Sequence, residues 1–167
     1  MFPLSTFLPD LMIVIVYATA FIIITIIWKP RMWLHDFPSD IQTMAAPKTA
    51  EEKRITAVLA GPFMVVFLGL LIIFGYRLKQ TLGADFSFGS AWLYIYALFM
   101  GFNLWDLVIL DWIGISLVDP QNPPIAGTAG AAGWRDYAFH FRGFLKGCVI
   151  GLVLAVVLAG VVAILPS

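Results

Sequence analysis

Four long apolar runs separated by polar clusters set the pattern of this chain: Leu11 to Trp28, Ile55 to Tyr76, Ala91 to Val118 and Phe144 to Leu165. Each is close to the ~20 residues that cross ~30 Å of hydrocarbon at 1.5 Å per residue. The runs are continuous rather than alternating, and an open sheet edge in lipid would leave backbone groups without partners, so strands are excluded. The pattern predicts an all-α, polytopic integral membrane protein. A single membrane domain over residues 1–167 would hold transmembrane helices at about 11–28, 50–78, 91–118 and 143–165, with loops at 29–49 and 119–142.

Composition strengthens this reading: 61% of the residues are hydrophobic and 12% charged, and the mean hydropathy is +0.93. Such a chain places lipid, not water, against most of its surface. With a formal net charge of zero there is no signal for nucleic acid as a partner. The single cysteine, Cys148, lies inside an apolar run, so neither a disulfide within the chain nor a cysteine metal cage can be built. The leader MFPLSTFLPD has no basic residue and the first run ends in WKPR, so a cleaved signal peptide is not expected.

Charge changes the picture through its distribution. Lys29, Arg31, Lys48, Lys53 and Arg54 belong to the first loop, and Arg135, Arg142 and Lys146 to the third loop and the start of the fourth helix; only Arg77 and Lys79 mark the second connection. Eight against two predicts cytoplasmic first and third loops and both termini outside. Trp33 and Phe37 suit the membrane edge. Thr49 to Glu52 has the spacing of a capping box that starts the second helix about a turn before the bilayer, and Gly61-Pro62 permits a kink within it. Prolines and glycines in DPQNPPIAGTAGAAGWRDYAFH exclude a long helix between Asp119 and Gly133.

Two patterns carry candidate chemistry. Gly143, Gly147, Gly151, Ala155, Ala159 and Ala163 recur every fourth residue, a stripe that admits close approach by another helix, either of this chain or of a homo-oligomer or membrane-protein partner. The stretch NLWDLVILDW places Asn103, Asp106 and Asp111 in an otherwise apolar helix. On an α-helix they share one broad, inward face, with the two acids ~140° apart. Asp111 is expected to pair with Arg142, with His140 joining the cluster, as a clamp between the third and fourth helices or as a proton or cation relay.

The residues Asn103 to Asp106, Asp111-Trp112 and Phe139 to Gly147 resemble a group of small bacterial four-helix membrane proteins to which no activity is attached. The resemblance covers the last two helices and implies a bacterial inner membrane, nothing more. No GxSxG nucleophile, Walker pattern or GxGxxG occurs. His35 and His140 both fall at the cytoplasmic rim, unsuited to a buried haem, and no ligand spacing singles out a metal site among Asp111, His140, Asp119 and Asp136. No catalytic residue, cofactor or metal is therefore expected. The reading favoured by the sequence is an accessory or interaction subunit held by an Asp-Arg clamp. The alternatives are a proton- or cation-coupled carrier or channel component using Asp106 and Asp111, and an enzyme with a site at the rim near His140.

Overall fold

The computed structural model describes residues 2–166. They fold as an all-helical bundle in which four helices are long and apolar enough to cross a membrane. The first is α1 (Leu4–Trp28). A connection containing a 3-10 turn (Pro30–Asp36) and the short α2 (Ser39–Met44) leads to α3 (Ala50–Leu82). The third crossing starts as α4 (Phe88–Trp105), widens into a π-helical segment (Asp106–Ile113) and ends in α5 (Gly114–Leu117). After a second 3-10 turn (Ala132–Arg135), α6 (Tyr137–Ile164) completes the bundle.

The helix starts follow from capping. Thr49 Oγ1 accepts from the Glu52 N–H (3.1 Å) and Glu52 accepts from the Thr49 N–H (2.8 Å), the reciprocal box expected at the head of α3. The first and last crossings start earlier than expected. Helix α1 begins at Leu4 rather than near 11, because Pro9 removes only one backbone bond and Asp10 is compensated inside the bundle. Helix α6 begins at Tyr137 rather than 143, because the Asp136 carboxylate accepts from the Phe139 N–H (2.8 Å) and stabilises the new N-terminus. His140 and Arg142 are thus helical residues.

Packing is densest toward the termini and the second connection. Phe67, Leu71, Phe74 and Leu78 of α3 meet Ala91, Tyr94, Ile95 and Leu98 of α4 there, along with Val14 and Ala18 of α1 and Ala155 to Val162 of α6. The three- and four-residue steps within each set mark one stripe per helix. Helices α4 and α6 share the most extensive interface, and it uses the small-residue stripe. Ala155 and Ala159 are fully buried. A Cβ on Gly147 would overlap the Asn103 amide and one on Gly151 the Phe99 ring, so these glycines set the closeness of the two helices. The middle of the stripe therefore packs against this chain's own α4, whereas Val149, Ile150, Val153 and Val157 point outward.

Polar groups pin this same end. Asp10 is fully buried, accepts from the Tyr94 hydroxyl (2.6 Å) and is ion-paired with Arg77. Lys79 donates to the carbonyls of Ala163 (3.1 Å) and Leu165 (2.6 Å), satisfying the last turn of α6. Arg77 and Lys79 lie inside α3, which runs past the expected end at 78. At the opposite end the two longer connections fold together over a small core of Leu34, Ile41, Ala45, Ile125, Ala131 and Trp134. Asp40 accepts from the Gly133 N–H (2.8 Å), and Arg135 donates to the carbonyls of Ile115 (2.5 Å) and Val118 (2.8 Å), which closes α5.

Candidate functional site

The π segment coincides with the polar stretch of the third crossing. On an α-helix, five steps of ~100° put Asp106 and Asp111 ~140° apart. Here the backbone bonds across five residues, as from the Gly114 N–H to the Ile109 carbonyl, and residues five apart come to lie over one another. Asp106 and Asp111 therefore look into the same space. Two tryptophans tether the crossing at its flanks: Trp105 Nε1 donates to Thr19 Oγ1 (3.1 Å) on α1, and Trp112 Nε1 to the Tyr137 carbonyl (3.3 Å) on α6.

That space is a cavity of about 510 Å³ where α1 and α3 part from the π segment, beneath the folded connections. Most of its wall is apolar or aromatic, including Phe63, Phe67, Phe99, Phe102, Trp33 and Trp134. Its polar members are Asn103, Asp106, Asp111, His140 and Asp36, and no lysine or arginine lines it. Asn103 donates to the Phe144 carbonyl (3.1 Å), fixing the amide at the α6 crossing. Asp106, by contrast, has no hydrogen-bond or ion-pair partner among the described residues.

His140 Nδ1 lies 2.9 Å from Asp111 Oδ1, and the ring is buried, with 8% of its side chain exposed. A carboxylate only accepts, so this approach places the ring proton on Nδ1 and leaves Nε2 an acceptor in the neutral imidazole. Nε2 is buried and has no partner among the described residues. Asp36 stands at the mouth. Surrounding protein pushes its carboxyl above the ordinary range and the neighbouring His35 and Lys48 oppose this, but with 53% of the side chain exposed, water keeps the effect small.

The expected Asp111-Arg142 pair is not formed. Residues two apart on an α-helix point ~200° apart, so with His140 turned to Asp111, Arg142 faces away. Its guanidinium is 3.7 Å from Asp136 and largely exposed. The clamp between the third and fourth crossings is Asp111-His140. Asp136 and Asp119 have structural tasks: Asp136 caps α6, and Asp119 accepts from Asn122 Nδ2 (2.8 Å) and the Gln121 N–H (2.9 Å) in a turn, bonds that hold its carboxyl below the usual range. Gly143 borders the cavity instead of packing on a neighbour. Of the remaining stripe, Ala163 is half-buried near the Lys79 cap.

Asp36 and the buried Asp10 were not among the residues singled out by sequence. An acid in a leader followed by an apolar run is the signal that points to Asp10; for Asp36 it is a carboxylate between two aromatic residues, Trp33 and Phe37, at the membrane edge. Among the described residues no three histidine, cysteine, aspartate or glutamate side chains gather closely enough to hold a metal ion. The chain matches no family model, no curated protein and no solved structure.

Proposed function

We propose that this chain is a small proton-handling carrier or channel component of a bacterial inner membrane, with both termini outside and the folded connections in the cytoplasm. The observation that supports it best is the single cavity wall shared by Asp106, Asp111 and a buried imidazole with a free Nε2, without a lysine or arginine to neutralise them. Intramembrane carboxylates and histidines facing a common cavity are the usual elements of proton relays. The accessory-subunit reading has less support, because the Asp111-Arg142 clamp is not formed and α4 occupies the small-residue stripe at Gly147 and Gly151. Against the rim-enzyme reading, no serine, threonine or cysteine lines the cavity to act as a hydroxyl or thiol nucleophile.

The test is proton flux into proteoliposomes holding a pH-sensitive dye and clamped at an inside-negative potential. The wild type is expected to acidify the lumen, and Asp106→Asn to reduce the rate about tenfold or more while its thermal melt is unchanged. Acidification no faster than in protein-free liposomes overturns the proposal. Orientation is checked separately in a Cys148→Ser background: Asp85→Cys, exposed in the second connection, is expected to react with an impermeant thiol reagent added outside intact cells. Reaction only after lysis reverses the topology.

A further inference from the structure

The cavity is larger than a relay requires. At about 510 Å³ it is of the size that encloses a small organic molecule, and its wall is built mostly from aliphatic and aromatic side chains. An inorganic ion would leave that wall against empty space. The polar groups it does carry are all of one kind: carboxyls of Asp106, Asp111 and Asp36 and an accepting Nε2 on His140. They can receive hydrogen bonds and positive charge, and Asn103 has committed its amide donor to the Phe144 carbonyl.

We infer that the cavity binds an organic ammonium ion with an apolar body, the N–H groups directed to Asp106 and His140 Nε2 and the body lying among Phe63, Phe67, Phe99 and Phe102. The inference rests on the reading of this cavity as the functional site and names its ligand class. Four features support it together. Asp106 has no partner in the chain, so a cation supplies the compensation that its position lacks. His140 is more than nine-tenths buried with an unpartnered acceptor. Aromatic faces attract a cation as well as its apolar body. The π segment spends regular helical geometry on bringing two carboxyls to one wall. A phosphate-bearing zwitterion is disfavoured, because its anionic part would meet three carboxyls and no basic side chain.

Affinity should fall as pH falls, because protonating a carboxyl removes the charge that holds the ammonium. The titratable groups facing the ligand are Asp106 and Asp111 from the π segment, His140 from α6 and Asp36 from the first connection, with His35 and Lys48 acting on Asp36.

The experiment is calorimetric titration of the full chain in phosphatidylcholine nanodiscs with phenylbutylamine, phenylbutanol and phenylbutyrate, each corrected against empty discs. Saturable binding of the amine is expected, with the alcohol and the acid weaker by roughly 10- to 100-fold, the ratio that follows from losing a charged hydrogen bond. Asp106→Asn is expected to weaken the amine by a similar factor. Since Asp106 makes no bond within the chain, this variant retains the fold, and Asp36→Asn at the half-exposed mouth provides a second, smaller loss. Amine binding no tighter than that of the alcohol, or indifferent to both substitutions, overturns the inference. If the amine binds as expected and proteoliposomes carry no proton flux, ammonium recognition stands and the carrier reading falls. Flux without amine binding gives the converse. Weaker amine binding in phosphatidylethanolamine discs than in phosphatidylcholine discs would show a phosphate-bearing zwitterion competing for the cavity and would overturn the restriction to ammonium ions without a phosphate.

Discussion

Arg77→Met is expected to destabilise the protein by about 3–5 kcal/mol, the usual cost of removing one member of a buried ion pair. Asp10 has no exposed surface, and without the guanidinium its charge keeps only the Tyr94 hydroxyl. Arg77 is itself 47% exposed and partly solvated, which places the effect toward the lower end of that range. Asp10→Asn should cost less, because a neutral amide tolerates the same site and can still accept from Tyr94. Replacing both residues, Asp10→Leu with Arg77→Met, should recover most of the loss, since an apolar pair avoids desolvating two charges. Thermal melts of the two single variants and the double variant in one detergent give the coupling directly. Single and double variants that lose stability additively would show that Asp10 and Arg77 act independently.

Trp134→Ala is expected to remove about 3–5 kcal/mol, nearly all of it from the folded connections. The indole is 1% exposed, donates to the Thr128 carbonyl (3.1 Å) and stacks at an angle on Phe37, its ring centre 5.1 Å away. The core around it is small, so the cavity left behind cannot be closed by neighbouring side chains. Hydrogen exchange should accelerate through residues 119–136 and 37–45 while α1, α3, α4 and α6 keep their protection. Because Trp134 also borders the ligand cavity, amine affinity should fall in the same variant. Unchanged exchange in both connections would mean that Trp134 does not hold the cap.

The four crossings were legible because each needs only length and apolarity, and the start of α3 because Thr49 and Glu52 carry its cap within four residues. What escaped depends on partners distant in sequence or on phase. Asp10 and Arg77 are 67 residues apart and each looks like an ordinary flanking charge. Asp136 reads in sequence as a loop acid, whereas its side chain caps α6, on which His140 faces inward and Arg142 outward. The π segment has no proline or glycine between Asp106 and Ile113 to announce it. Tethers hold it on both sides, Thr19 on one helix and Tyr137 on another, and local sequence does not encode these partners.

A π-helical stretch amounts to an α-helix with one residue too many for its span. In chains of similar design, the number of residues between the positions of Asn103 and Gly114 therefore carries more information than their identities. A homologue one residue shorter there could keep both aspartates and still turn one of them away from the wall, whereas one of equal length with Glu in place of Asp could retain the pair. Alignments that slide a gap freely through this hydrophobic run would merge the two kinds, and placing the gap by length would separate them.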